Sequence, residues 1–537
     1  MAHHSISSTI LISLVHIFVL FTVLVSASIS SNNINYQAFI NCLSNHSLDH
    51  NSQYPIYLPN TSSYNSILNN TIENLRFSYP QTPKPNLIAT PVNESQVQAL
   101  VICSKKYHFQ IRTRSGGQDF EGLSYTSQQS LPFIVLNLVN FQGVEVDVAN
   151  ESAWVQGGAT LGQLYYKIAE KSPTLGFPAG LCPPVGVGGH ISGGGWGNMM
   201  RKYGLAADNV IDVRIVNANG EILDRKSMGE DLFWAINGGG AASYGIVLSW
   251  KLKLVHVPAN VTVFAIPKTW QQGAVSLIHK WQFVAETLPD DLMVLIALSK
   301  SNGTTLALFQ ALYLGGKDQL LQIMNSRFPE LGLKAQDCIE TTWIRSTMFF
   351  FGLPLNGPLN ILLDRNPRPK ISSKTKSDFV KEPIPEIALR GMWRRVSLAD
   401  NPLILIAPYG GKMAEISGTS TPFPHRNGTL FHICYEVDWF VQGVDVSTKQ
   451  VQLVRRLYRY MTPYVSKSPR EAYLNYRDLD LGRNRIDGSA TYEQGKFWGA
   501  KYFNENFDRL VKVKTKVDPD NFFSNEQSIP SLKATNF

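Results

Sequence analysis

The residues with the clearest chemical potential lie in two glycine-rich runs. The first is Arg112-Thr113-Arg114-Ser115-Gly116-Gly117-Gln118-Asp119-Phe120-Glu121-Gly122-Leu123-Ser124-Tyr125. Paired glycines after a strand let backbone amides come close to a pyrophosphate, and Ser115 and Ser124 add hydroxyl donors. The second is Phe177-Pro178-Ala179-Gly180-Leu181-Cys182-Pro183-Pro184-Val185-Gly186-Val187-Gly188-Gly189-His190-Ile191-Ser192-Gly193-Gly194-Gly195-Trp196-Gly197. Its eight glycines in 21 residues are too many for a helix or an ordinary strand. Neither run fits GxGxxG in a βαβ unit or the phosphate loop GxxxxGK(S/T), which disfavours Rossmann and Walker sites. Structural turns would explain either run alone; the two together at this spacing point to a bound cofactor.

A second set of candidates lies downstream. In Phe431-His432-Ile433-Cys434-Tyr435, strand alternation puts His432 and Cys434 on one face. With Tyr476 they are candidates to orient a substrate or accept a proton. For His432 and Tyr476 the competing reading is a satisfied buried polar residue. Metal chemistry has no support, since none of Cys42, Cys103, Cys182, Cys338 and Cys434 stands in a CxxC or zinc-type spacing.

These residues need elements to position them. Asn93 to Lys106 reads as a helix capped by Asn93, with Val97, Leu100 and Val101 on one face. A strand is expected at Gln110 to Arg114, then short strands at Pro132–Leu138, Gly143–Val148 and Ala153–Gln156, and a hairpin over Val210–Asp224 turning at Asn219-Gly220. Helices are expected at Thr160–Lys171 and Gly229–Ile236, and Ile246–Val255 closes this lobe before Pro258. Beyond it, Met293–Leu298, Thr305–Tyr313 and Leu430–Trp439 read as strands of a second sheet. One amphipathic helix is expected over Gly495–Lys516, stopped by Asp518-Pro519 and packed back on the first lobe.

The chain has 537 residues, beyond the roughly 250 to 300 at which one core stops growing, so two lobes are expected. The division is 1–31 leader, 32–80 N-terminal arm, 81–257 cofactor lobe, 258–475 substrate lobe and 476–537 returning segment. Apolar residues make up 44% and charged residues 17%, which excludes disorder, collagen and coiled coil for the whole. The net charge of +8 is spread along the chain with no basic run longer than two, so it reads as a solvated surface with no nucleic-acid partner.

Ile10 to Ile29 is the most apolar stretch and ends in Ser26-Ala27-Ser28, as in a cleaved signal peptide, although its n-region has two histidines and no Lys or Arg; a retained anchor is the alternative, because the stretch is nearly long enough to span. Eight Asn-x-Ser/Thr sequons follow, at Asn45, Asn60, Asn69, Asn93, Asn150, Asn260, Asn302 and Asn427. The secretory pathway is expected, ending in a vacuole, an ER-derived vesicle or outside the cell, with no membrane span in the mature chain. An oxidising compartment permits a disulfide, for which Cys42 with Cys103 is the expected pair. The odd cysteine count leaves at least one thiol unpaired.

The two runs are similar to the signature of the berberine bridge enzyme-like family of plant flavoproteins, within the vanillyl-alcohol-oxidase flavin fold. The likeness continues through Met200 to Asn209, Gly229 to Ala235, Tyr244-Gly245-Ile246-Val247, Pro424-His425-Arg426, Ala472 to Asp480 and Trp498 to Phe503. It implies a two-lobed α+β fold with a β-sheet substrate lobe, and FAD facing a substrate C–H bond. The cofactor contacts it implies are Arg114, Ser115, Gly116, Gly117, Gln118, Ser124, Cys182, Val185, Gly186, Gly189, His190, Gly194, Val247 and Asn475.

The departures matter. Family members often attach the flavin through a histidine in the first run and a cysteine in the second; here the histidine position is Gln118, and an amide is far too weak a nucleophile. The flavin is therefore not bicovalent. Cys182 remains for a single thioether, or packs as a small buried apolar residue. Val185 stands where the family's oxidases carry a small residue that leaves room for dioxygen, with plain packing as the alternative. The face of His432 and Cys434 points at the substrate in the family and often carries Glu, Gln or Lys, so a carboxylate base is missing here. Oxidising a tertiary amine to an iminium needs no base, and these departures resemble the alkaloid branch of the family. The expectation is a monomeric oxidase of a monoterpenoid indole alkaloid that releases hydrogen peroxide and hands its product to later alkaloid enzymes. Carbohydrate or monolignol oxidation, and a secreted glycoprotein without turnover, are the alternatives.

Overall fold

Side-chain caps start the helices that frame the first lobe. Asn93 accepts from the Gln96 amide ahead of Glu94–Lys106, and Thr160 with Gln163 forms a reciprocal capping box ahead of Leu161–Lys171. The structure, a computed structural model, describes residues 36–46 and 54–532. The expected leader at 1–31 lies outside the described residues.

Strands β1 (Ile56–Tyr57), β2 (Leu87–Ala89), β3 (Gln110–Arg114) and β4 (Phe133–Asn137) form a sheet in the order β1-β2-β4-β3, parallel except for β1. The second sheet holds β5 (Val144–Asp147) and β6 (Ser152–Gln156); β7 (Leu175–Gly176) lies apart from it. It continues with β8 (Val210–Val216), β9 (Ile222–Leu223) and β10 (Ile246–Lys253) in the antiparallel order β5-β6-β10-β8-β9. The β8–β9 hairpin turns at Gly220, whose φ of +79° suits glycine. Strand β11 (Val255–His256) pairs with β7.

The second lobe is one antiparallel sheet of seven strands. These are β12 (Val261–Thr269), β13 (Leu292–Ser301), β14 (Thr304–Tyr313), β15 (Ile339–Thr341), β16 (Ser372–Val380), β17 (Asn401–Pro408) and β18 (Phe431–Trp439), ordered β15-β12-β14-β13-β17-β18-β16. One face packs under helices Ala274–Trp281, Glu386–Val396 and Val444–Met461 through Ile404, Ile406, Ile433, Tyr435 and Val437. The other face, carrying His432 and Cys434, is turned toward the first lobe.

Three local expectations need correction. The second glycine run is not wholly irregular, because Val187–Ser192 is a helix despite two internal glycines; burial of Val187 and Ile191 holds it. The helix expected at Gly229 begins at Arg225, capped by Asp224, and Gly229 with φ +77° breaks it. The C-terminal helix is two, Tyr492–Phe503 and Asn506–Val517, separated by Asn504 at φ +47°. Asn504 donates to Glu471, and the Phe507 ring fills the notch left by Gly495 and Gly499, where a Cβ would come within about 3 Å of it.

This C-terminal segment buries Trp498, Tyr502, Phe507 and Leu510 in the core of the first lobe. Trp343, Ile344, Met348 and Leu362, inside the span read as substrate lobe, join the same core. The lobes are therefore interleaved in sequence. The Cys42–Cys103 disulfide ties the N-terminal helix Tyr36–His46 to Glu94–Lys106. Seven sequons are exposed; Asn93 is half-buried and its Oδ1 caps a helix. Among the described residues no helix is long and apolar enough to cross a membrane, and no cluster of three metal-ligating groups occurs.

Candidate active site between the lobes

The two glycine runs meet backbone to backbone. A Cβ on Gly116 would strike the Gly186 backbone and one on Gly186 the Gly116 backbone, so only glycine allows this approach. Ser115 Oγ donates to the Gly157 carbonyl at 2.5 Å, behind the junction. Gly117 turns the chain with φ +79° and leaves Gln118 exposed. The Arg114 guanidinium turns away: Nε donates to the Thr71 carbonyl at 2.9 Å and Nη2 to Glu73 at 2.6 Å. Val247 is likewise buried, with its carbonyl under Gly157. Ser124 Oγ is buried and has no partner.

On the second run, Gly189 is exposed and a Cβ there would meet nothing within 4 Å, although its helix neighbours Val187, Gly188 and Ile191 are buried. His190 Nε2 accepts from the Gly180 amide at 3.0 Å, so the ring proton sits on Nδ1. Burial pushes this imidazole down to about 4, which keeps it neutral. Asn475 Nδ2 donates to the His190 carbonyl at 2.9 Å and to the Tyr473 hydroxyl at 2.8 Å. Tyr473 in turn accepts from the Gly195 amide at 2.9 Å, and Gly194 and Gly195, at φ +112° and +78°, bend the run around it.

Cys182 and Val185 precede the Gly186 junction in the second run. Cys182 is exposed rather than packed as a buried apolar residue, which corrects that alternative. The surrounding protein, followed by Glu436, pushes its thiol up to about 11. Val185 is half-buried against the first-lobe core.

β18 carries His432 and Cys434 on the face that turns toward the first lobe. His432 is 1% exposed and neither ring nitrogen has a partner. Aromatic rings surround it: Trp196 at 4.7 Å, Tyr409 at 5.8 Å, and Phe379 and Tyr476 at 6.1 Å between centroids. Burial, aided by His425, pushes it down to about 3, so it is a neutral imidazole at every physiological pH. The Tyr476 hydroxyl accepts from Trp196 Nε1 at 2.9 Å and hydrogen-bonds the Cys434 thiol. Burial raises both Tyr476 and Cys434 well above their usual ranges. The structure thus gathers His432, Cys434, Tyr476 and Cys182 around one cleft.

One sequence expectation is extended here, beyond the His432 and Cys434 positions. The alternation that pairs His432 with Cys434 continues to Glu436 and Asp438, so carboxyl groups do stand on this face. Glu436 acts on the thiols of both Cys182 and Cys434. Also missed were the ties between lobes. Lys374 of β16 bridges Glu121 of the first run and Asp478 (2.8 Å), and Arg426 grips Asp208 through two hydrogen bonds of 2.7 and 2.6 Å.

Comparison with known proteins agrees with this geometry. Residues 85–225 match the FAD binding domain family, and residues 472–530 match the family described as berberine and berberine like. The chain is 52% identical over 530 residues to tetrahydroberberine oxidase of Berberis wilsoniae, covering 96% of this chain and 98% of the relative. Berberine bridge enzyme-like 8 of Arabidopsis thaliana is 50% identical, covering 96% and 99%. Among solved structures, BBE-like #28 from Arabidopsis thaliana superposes with a TM-score of 0.87 at 47% identity, covering 92% and 99%. Phl p 4, a grass pollen allergen with glucose dehydrogenase activity, gives 0.87 at 45%, with the same coverage. Lining FAD-domain residues and a berberine-like C-terminal segment against one cleft, the chain belongs to the berberine bridge enzyme-like family of FAD-dependent oxidoreductases.

Proposed function

We propose that this enzyme is an oxidase that removes hydride from the carbon beside a tertiary amine of a monoterpenoid indole alkaloid, giving an iminium, with dioxygen reduced to hydrogen peroxide. Within the family this reading resembles precondylocarpine acetate synthase, also called O-acetylstemmadenine oxidase. The observation that carries it is the aromatic cluster around neutral, buried His432, which adjoins Tyr476, Cys434 and Cys182. It suits a polycyclic amine, and a relative at 52% identity is named tetrahydroberberine oxidase.

The residues fit FAD. The Gly116–Gly186 junction brings backbone amides of both runs together, Gly189 leaves room that a Cβ would fill, and the Ser124 hydroxyl is a free donor. Arg114, by contrast, serves the cradle by fixing the end of β3. When bound, FAD supplies the hydride acceptor. Gln118 offers no attachment, and Cys182 is the residue to carry a single thioether.

This chain's own groups then act on the substrate. The rings around His432 hold an apolar polycycle and exclude water, while Trp196 and Cys434 fix the Tyr476 hydroxyl toward the cleft. Neutral His432 offers an acceptor lone pair without a repelling charge. Val185, next to the Gly186 junction, leaves a small side chain for dioxygen. Related structures support its bearing on oxygen use: Phl p 4 is a glucose dehydrogenase and an isoleucine-to-valine variant of it a glucose oxidase.

The test is a substrate panel of tertiary-amine indole alkaloids, sugars and monolignols, with peroxide measured, alongside acid precipitation of the holoenzyme. Turnover of amines alone, with flavin retained in the pellet, is expected. Turnover of sugars alone, or flavin wholly released, would refute the respective parts. A second reading, alcohol oxidation of a carbohydrate, is favoured by the carboxyl groups of Glu436 and Asp438, since an alcohol needs a proton acceptor.

A further inference from the structure

Buried carboxylates are ordinarily paired with cations. Glu436 and Asp438 are not. Neither forms an ion pair with any described residue, and the only charged neighbours that act on them are each other. They hydrogen-bond together, yet Asp438 Oδ1 is buried without a partner. Both side chains rise from the cleft face of β18, two and four residues past Cys434, in the half-buried part of the sheet.

The neighbouring strands define what faces them. On β17, Leu403 stands beside Glu436 and Leu405 beside Cys434, both half-buried. On β16, Thr375 stands directly across from Glu436, fully buried, with Oγ1 unpartnered. Residues opposite each other lie about 5 Å apart at Cβ. That hydroxyl is a second, independent polar group directed onto the same patch. Among titratable groups, Glu436 acts on Cys434 of its own strand and on Cys182 of the glycine run, which Arg368 also influences.

We propose that Glu436 and Asp438 form a cation-binding site, flanked by Leu403 and Leu405, that seats the protonated nitrogen of an amine substrate and takes its proton. The inference rests on the amine reading above. The pair carries at most one negative charge, because two adjacent carboxylates cannot both ionise cheaply. Burial followed by Asp438 raises Glu436 far above its usual range, while burial lifts Asp438 to about 7. An incoming ammonium supplies the missing cation. The N–H bond breaks and an O–H bond forms on the carboxylate, while the electron pair stays on nitrogen. Only that free lone pair can assist departure of hydride from the adjacent carbon. Without this step a bound ammonium would resist oxidation.

The test uses the FAD-loaded full chain and two probes of like shape, N-methyl-tetrahydroisoquinoline (cationic at neutral pH) and uncharged tetralin, titrated by calorimetry. The wild type should bind the amine at least tenfold more tightly than tetralin. The double variant Glu436→Gln/Asp438→Asn should lose that preference, with tetralin affinity and FAD content unchanged. Should the double variant fail to retain FAD, Leu403→Lys places a cation beside Glu436 and should abolish the preference equally. Unchanged amine affinity in either variant overturns the proposal. Carboxyl-dependent binding without turnover of any amine would sink the amine-oxidase reading while leaving the cation site standing. Amine turnover with KM unaltered in the variants would do the reverse.

Discussion

Lys374 offers the sharpest energetic test, because it links the first glycine run, β16 and the returning segment at the edge of the active site. Its side chain is 2% exposed and holds Glu121, Asp478 at 2.8 Å and Asp480 at 3.8 Å. Lys374→Met keeps most of the apolar stem and removes only the charge. Deleting one partner of a buried ion pair costs about 3 to 5 kcal/mol. Here Glu121 keeps Arg76 at 2.5 Å and Asp478 keeps Lys376 at 2.5 Å. The lower end, about 3 kcal/mol, is therefore expected. At about 2.1 cal/mol/K per residue, a described chain of this size loses about 3 °C in Tm. The pH dependence separates charge from packing. Burial opposes the Glu121 carboxylate, but Lys374 and Arg76 outweigh it and hold its pKa below the usual value. A depressed carboxyl contributes stability above its unfolded pKa that is lost as pH falls. In the variant that advantage shrinks, so the difference from wild type should narrow by about 1 kcal/mol between pH 7.5 and pH 4. Denaturant titrations at both pH values, read by tryptophan fluorescence and by FAD release, measure it. A loss below about 1 kcal/mol, or one equal at both pH values, refutes the reasoning.

Three further outcomes are expected. Gly189→Ala meets no atom of the protein, so the apoprotein should melt unchanged or slightly higher, while FAD uptake falls at least tenfold; normal uptake would contradict the cradle. His432→Phe removes two unpartnered ring nitrogens from an aromatic box, so stability should change by less than about 1 kcal/mol. Because His432 stays neutral down to about pH 3, no inflection in the wild-type pH–rate profile between pH 5 and 8 should disappear in that variant. Val185→Ile should slow reoxidation of the photoreduced enzyme in air while leaving its anaerobic reduction by substrate intact; equal reoxidation rates would remove Val185 from the argument.

Much of this molecule is local in origin and so could be read along the chain. Asn93 and Thr160 mark helix starts because a cap and its amides lie within a single turn. The two glycine runs together point to a cofactor because paired glycines let backbone amides approach a pyrophosphate closely. Alternation places His432 and Cys434 on one face, and the expected pair Cys42 and Cys103 is bonded. Distant pairings could not be read this way. That Gly116 touches Gly186, that Arg114 is consumed by Glu73, and that Lys374 bridges Glu121 and Asp478 depend on how sheets stack. The helix break at Asn504 arises from Phe507 docking on two glycines, a tertiary contact that overrides a continuous amphipathic pattern. Sequence alone therefore determined the cofactor class and the lobe that binds it. Only tertiary structure decided that this face of β18 carries an uncompensated pair, Glu436 and Asp438, because lacking a partner cation is a property of the surroundings and not of the strand.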